Sequence, residues 1–441
     1  MLFRSVKQDL EMKGNTLAIV LLVVGLVVGA GAGYFMAPSG DGGDGGDGGE
    51  TITIIQAPLE GVNIQLGYIS STTVGLETTV PLVEEILTPD YNAYMDKLGM
   101  DTTMEFLIDD ATGQAAVHLE KVQGYKSMDI NVFIGGGWSS QAQAALSYCN
   151  DNDMLMWSSS STSPLLGIAD DNLYRMCPTD LIQAPAIAEM LWSAGIEAII
   201  LIQRGDAWAD GIYNYLEPAY TDKGGVIIER IRYAGEATEF ANYLQTAEDL
   251  AEDAVAEYGA DAVGVEIISF AEFVVMISQA TDFPTIYDLT WFGSDGTTLS
   301  QQACDDSPEQ VEHLKIHSTY AAPADSQKFN DLYARYYALV SQPFGYYSAC
   351  SYDIGWVLTE SINNAQSLDA NVLIPIQHTT AYNNFGASGW NQLNDDGDRY
   401  GSNYQIWTYG YEGDIVIPYV SGLFDGITGQ VTWYEDPHTG L

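Results

Sequence analysis

Short apolar runs alternate with longer amphipathic stretches along most of this chain, and the alternation predicts its elements. Strands are expected over 64–70, 103–108 and 131–134, with helices over 80–98, 115–125 and 141–150. The apolar segment Asp153-Met154-Leu155-Met156 then delivers a loop of hydroxyls, Trp157-Ser158-Ser159-Ser160-Ser161-Thr162-Ser163-Pro164. After Pro178 the order restarts, with helices over 184–194, 210–223, 240–258 and 270–280. Strands over 198–203, 225–231, 262–268 and 290–293 accompany them, and the tail adds strand-like runs over 404–409 and 415–420. Repeated strand-helix order is the signature of a parallel sheet covered on both faces. The class is therefore α/β, with two such sheets in series.

The first 63 residues break this pattern. Residues 1–16 carry Arg4, Lys7 and Lys13, and 17–36 run apolar without a charge. About 20 apolar residues suffice for a helix to cross a bilayer. Basic residues before the span and an acidic chain after it orient the tail to the cytoplasm and the body outside. The expectation is a single-pass anchor in the cell membrane with an extracellular or periplasmic body. A cleaved signal peptide with the small-residue site Ala30-Gly31-Ala32 is the competing reading. Residues 37–63 include a Gly/Asp repeat that has no side chains to pack and repels itself, so they read as an extended linker.

Charge narrows the partners. With 15 Lys+Arg against 60 Asp+Glu, the net charge is −45 and the pI about 4.1. Such a surface repels phosphates and anionic headgroups, so nucleic acid is not expected as a partner. Cys149, Cys177, Cys304 and Cys350 form no CxxC pair and lack histidines at ligand spacing, which argues against a zinc site; no metal or cofactor is expected. In an exported chain four cysteines allow three pairings, and Cys149 with Cys177, which flank the serine loop, is the expected disulfide. There is no P-loop, HExxH or GxSxG, and the five histidines have no partners at motif spacing, so an enzyme is not expected.

In open α/β sheets ligands bind beyond the carboxyl ends of the strands. The strand over 131–134 is followed by Gly135-Gly136-Gly137-Trp138-Ser139-Ser140, and that over 198–203 by Arg204-Gly205-Asp206-Ala207-Trp208. Ser269-Phe270 and Ser294-Asp295-Gly296 follow two later strands. One half thus offers hydroxyls and helix-start N–H groups, while the other offers aromatic rings and a carboxylate. That combination suits a zwitterion: N–H groups and hydroxyls for a carboxylate, Asp295 for an ammonium, a ring beside either.

Phe292-Gly293-Ser294-Asp295-Gly296, the serine loop, the Asp109-Asp110 pair and the 135–140 run together resemble the type I periplasmic binding proteins, in the branch of Leu/Ile/Val receptors of ABC importers. The likeness extends over about 64–403. It implies two Rossmann-like lobes with parallel central sheets joined by a three-crossover hinge near 178–183, 320–323 and 386–401. The first lobe would comprise 64–181 and 321–388, the second 182–320 and 389–441. The resemblance further implies that Ser140, Ser161 and Thr162, with Ser139 and Ser160 beside them, hold a ligand carboxylate. Trp208 and Phe270 would supply aromatic walls and Asp295 would bind the ammonium. Trp138 narrows the first face and Phe270 lacks a tyrosine's hydroxyl, so the ligand stays open among amino acids, amides and other small polar solutes. The implied role is an extracytoplasmic solute-binding protein with ABC permease and ATPase partners. A ligand-sensing ectodomain, or a structural cell-surface protein that keeps the fold without a ligand, are the alternatives.

Overall fold

The computed structural model describes residues 57–440 apart from Pro343 and Ser402, so the expected tail, anchor and most of the linker lie outside the described residues. Among the described residues no helix is long and apolar enough to cross a membrane. The first sheet is built from β1 (Asn63–Ser70), β2 (Thr103–Asp110), β3 (Val132–Ile134), β4 (Leu155–Ser158) and β5 (Leu173–Pro178). They are parallel in the order β5-β4-β3-β1-β2, with β1 and β2 in register from Asn63 against Thr103 to Ser70 against Asp110.

The second sheet repeats that order. It uses β6 (Ala198–Gly205), β7 (Val226–Ala234), β8 (Val263–Ile268), β9 (Thr290–Gly293) and β10 (His317–Ala321), parallel as β10-β9-β8-β6-β7. The short β11 (Asp398–Arg399) pairs with β5 at the edge of the first sheet. Beyond β10 the second sheet continues as an antiparallel meander of β12 (Tyr404–Glu412), β13 (Ile415–Asp425) and β14 (Gln430–Trp433).

Both sheets are covered on both faces, as the two-residue alternation of side chains requires. In β1, Ile64, Leu66 and Tyr68 join a core with Val357 and Leu358 of the helix Tyr346–Ala365. Ile69 joins the opposite core, with Val122 and Ala145 of the helices Ala115–Ser127 and Ser139–Asp151. In the second lobe Ile199 and Leu201 pack on one face with Ile187 and Ile212, while Ile200 and Ile202 pack on the other with Leu244 and Phe273.

Several expectations need correction. The helix expected over 80–98 begins at Thr73 and runs to Lys97, with a π-helical segment at Pro81–Leu87. Its start is set by Thr72, whose hydroxyl accepts the Gly75 N–H at 3.0 Å and so satisfies an otherwise unpaired amide. The helix expected to begin at Phe270 begins at Phe273. Residues 389–399, expected in the second lobe, end in the first sheet through β11, and the chain returns to the second sheet only at Tyr404. The expected disulfide is not formed: all four cysteines are buried and free. Cys149 lies in the core on one face of the first sheet and Cys177 in the core on the other, with the sheet between them.

Candidate ligand-binding site

Strand order reverses between β1 and β3 in the first sheet and between β6 and β8 in the second. The crevices at such switch points are where open α/β sheets hold ligands. Here the two crevices meet. On the first lobe the loop after β3 turns at Gly136, whose φ of +62° suits glycine. At Gly137 a Cβ would lie 2.3 Å from Ser71 Oγ and 3.1 Å from Ser160 Oγ, so only glycine lets three loops converge. Gln141 ties two of them: its Oε1 accepts the Trp138 N–H at 3.4 Å, and its Nε2 donates to Ser71 O at 2.9 Å. Burial lowers the His118 pKa to about 4, and the neutral ring's Nε2 accepts the Gly136 N–H at 2.7 Å.

The serine loop is held from beneath. Arg175 Nη1 donates to Ser161 O at 2.9 Å and Ser163 O at 2.7 Å. The same guanidinium binds Asp398 with two bonds, Nε to Oδ1 at 2.5 Å and Nη2 to Oδ2 at 2.6 Å. Within the loop Ser158 Oγ donates to Gly136 O at 2.9 Å and Ser160 Oγ to Gly137 O at 2.8 Å. Ser163 reaches both lobes: its N–H donates to Ser139 Oγ at 3.1 Å and its hydroxyl to Ala207 O at 2.8 Å, at the start of the helix Ala207–Thr221.

Facing this on the second lobe, Asp206 caps that helix by accepting the N–H groups of Trp208 and Ala209 at 3.1 and 3.0 Å, which fixes Trp208. The Trp208 ring stacks on Phe270 at 4.2 Å and 9°, and Phe270 stacks in turn on Trp138 at 4.5 Å and 12°. One ring of the second lobe is thus sandwiched between indoles from both. Arg204 covers the sandwich, 5.4 Å from the Trp138 centroid and 5.3 Å from that of Phe270, while paired with Asp206 and Glu272.

Asp295 closes the site. Tyr347 OH donates to its Oδ2 at 2.5 Å and Gln183 Nε2 to its Oδ1 at 2.9 Å. Burial raises the Asp295 carboxyl above the ordinary range, and these two donors offset part of the rise. Asp180, at the start of the helix Asp180–Ser193 in the first passage between lobes, is fully buried with neither oxygen hydrogen-bonded. Burial and the charge of Asp295 push it well up. Gln183 Oε1, Ser161 Oγ and Thr162 Oγ1 are likewise buried without partners. Unsatisfied polar atoms are rare in folded interiors, and here several gather at the lobe junction.

A cavity of about 180 Å³ lies between the lobes, lined by Gly137, Trp138, Ser139, Ser160, Trp208, Phe270, Asp295, Gly296 and Tyr347. Of the expected site residues, Trp138, Ser139, Ser160, Trp208, Phe270 and Asp295 therefore share one wall system. Ser140 lines neither this cavity nor its neighbour, and Ser161 and Thr162 are buried behind the loop surface. Sequence reasoning missed Tyr347, Gln183 and Asp180. The last two fall inside the expected first crossover, whereas Tyr347 sits on the helix Tyr346–Ala365, far from any strand end. Among the described residues no three His, Cys, Asp or Glu side chains are placed to hold a metal ion.

Two lobes of identical parallel strand order, three passages between them and a cavity at their paired switch points define a type I periplasmic-binding-protein fold. A family model for the receptor family ligand binding region matches residues 90–412, and the chain belongs to that family. An uncharacterized protein of Methanocaldococcus jannaschii is 26% identical over 408 residues, covering 87% of this chain and 94% of its own. Among solved structures, the leucine-binding protein LivK of Thermotoga maritima has a TM-score of 0.66 at 17% identity, covering 81% of this chain and 98% of its own. The branched-chain amino acid transporter substrate-binding protein LivJ of Streptococcus pneumoniae, in complex with isoleucine, gives 0.66 at 15%, covering 81% and 99%. An ABC transporter solute-binding protein of R. palustris in complex with benzoate gives 0.64 at 14%, covering 86% and 99%.

Proposed function

We propose that this protein is the solute-binding component of an ABC importer and closes its lobes on an amino acid or a similarly small polar zwitterion. One observation carries the reading: Asp295 of the second lobe and the Ser139 and Ser160 region of the first line the same cavity. A ligand ammonium at Asp295 supplies the positive charge that no side chain brings to this carboxylate, and the ligand carboxylate meets the hydroxyls and the start of the helix Ser139–Asp151. Since each half contacts a different end of the ligand, binding favours the closed arrangement, the state a permease must recognise. Solved structures of the same fold, one named as leucine-binding and one in complex with isoleucine, support an amino acid as the solute.

Calorimetric titration with a panel of amino acids and amides tests the reading. Saturable one-to-one binding that Asp295→Asn weakens is expected; no heat from any member refutes it. We further infer that 17–36 anchors the body at the outer face of the cell membrane. The intact mass of membrane-extracted protein is expected to include that segment, and a mature terminus near Gly33 overturns the anchor.

A further inference from the structure

Beside the interlobe cavity lies a second chamber of about 200 Å³, and the two share Gly137, Trp138, Ser160 and Tyr347 as a common wall. Ser70 at the end of β1 and Ser71 and Thr72 after it form one side, and Thr78 and Thr79 of the following helix another. Ser348 and Ser351 of the helix Tyr346–Ala365 complete it. In a chain with 60 Asp and Glu, none of the lining residues is Asp, Glu, Lys, Arg or His. Its aliphatic residues, Ile69, Leu82 and Ile134, are each only 2% exposed, and its apolar surface comes also from the rings of Tyr68, Trp138 and Tyr347.

Some of the hydroxyls are committed: Ser351 accepts from Tyr68 OH at 3.0 Å, and Thr78 donates to Gly75 O at 3.0 Å. Those of Ser71, Ser159 and Ser348 make no hydrogen bond to another described residue, and all three line the chamber. A hydroxyl both donates and accepts, so a wall of them matches a neutral group that does the same. On its other side the interlobe cavity is closed by the Trp138, Phe270 and Trp208 stack. The chamber on the far side of Gly137, Trp138, Ser160 and Tyr347 is therefore the space that adjoins a solute gripped near Asp295.

We propose that the chamber selects the variable part of the solute, and that this part is a neutral hydrogen-bonding group, a carboxamide or hydroxyl, rather than a branched aliphatic or ionised one. The proposal rests on the reading of the lobe junction as a zwitterion site. An aliphatic group there strips water from the free hydroxyls and returns no hydrogen bond, the situation in which polar sites discriminate most strongly. A carboxylate enters with no cation to meet it.

The test is competitive calorimetry on the full chain with near-isosteric pairs: asparagine against leucine, threonine against valine, and asparagine against aspartate. Asparagine and threonine are expected to bind on the order of 100-fold tighter than their aliphatic partners, with aspartate weaker than asparagine. In the Ser71→Ala, Ser348→Ala double variant the asparagine-to-leucine ratio should fall by about tenfold or more. Leucine or valine binding as tightly as its polar partner, aspartate above asparagine, or a ratio unmoved in the double variant overturns the inference and leaves the zwitterion site standing. Absence of binding by every amino acid and amide removes that site and the inference with it.

Discussion

Two buried carboxylate sites lie at the junction of the lobes, and they are completed differently. Asp398 meets Arg175 through two short hydrogen bonds, and the remaining guanidinium nitrogen is spent on the carbonyls of Ser161 and Ser163. Neither Asp180 nor Asp295 is paired with a cation: Asp295 accepts only from neutral donors, and the carboxylate oxygens of Asp180 have no hydrogen-bond partner. Burying a charge is costly unless it is paired, so the first site is complete within the chain and the second is complete only with something added. The contrast separates a residue pair that builds the serine loop from two buried carboxylates that no cation of the chain completes.

The largest effect should come from breaking the finished site. Arg175→Met leaves Asp398 buried without its cation and strands two loop carbonyls, and we expect a loss of about 3–5 kcal/mol in chemical denaturation. Adding Asp398→Leu should recover much of that loss, because an apolar pair carries no desolvation cost. The unfinished site should respond in the opposite sense. Asp295→Asn should leave the unliganded protein at least as stable as the parent while costing ligand affinity about 2–5 kcal/mol in calorimetry. If instead it lowered stability as Arg175→Met does, the distinction between the two sites would be lost.

How much of this was legible follows the range of the interactions. Alternating apolar runs located most strands, and the strand-end rule pointed to Trp138, Ser160, Trp208, Phe270 and Asp295, which all line one cavity. β5 escaped notice because Arg175 interrupts its apolar run, and it is buried only because Asp398, 223 residues away, neutralises it. Tyr347, Ser348 and Ser351 escaped because they lie on a helix that returns to the first lobe after β10, a placement that local patterning does not encode. The serine loop suggested that Ser161 and Thr162 face a ligand, yet Arg175 draws the carbonyl of Ser161 inward, and both residues lie behind the surface.

A smaller effect is expected from pH. Burial holds the Asp180 carboxyl above its ordinary 3.8 in the fold, so the native state keeps a proton that the unfolded chain has released. Stability from this group is therefore greatest in acid and falls as pH rises from the ordinary carboxylate range towards the raised native value. Asp180→Asn removes the titration. Its melting temperature should match the parent near pH 4 and exceed it by about 4 °C at pH 8. A ligand ammonium stabilises the ionised form, so ligand should protect the parent more at pH 8 than at pH 4. Equal pH profiles for parent and variant would mean that Asp180 is not the unfinished half of the site.

The finest test concerns what holds the lobes together when no ligand does. Between them stands the stack of Trp138 on Phe270, a contact between aromatics far apart in sequence that local patterning does not encode. Stacked aromatic pairs contribute about 0.5–1.5 kcal/mol beyond their buried area. Trp138→Ala removes the interlobe ring while leaving Trp208 on Phe270 within the second lobe. We expect the unliganded variant to shift towards open lobes by about fivefold, seen as a larger radius of gyration in small-angle scattering, with saturating ligand restoring the compact form. An unchanged radius would assign closure to the remaining direct contacts between the lobes, among them the Ser163 to Ala207 and Tyr347 to Asp295 hydrogen bonds.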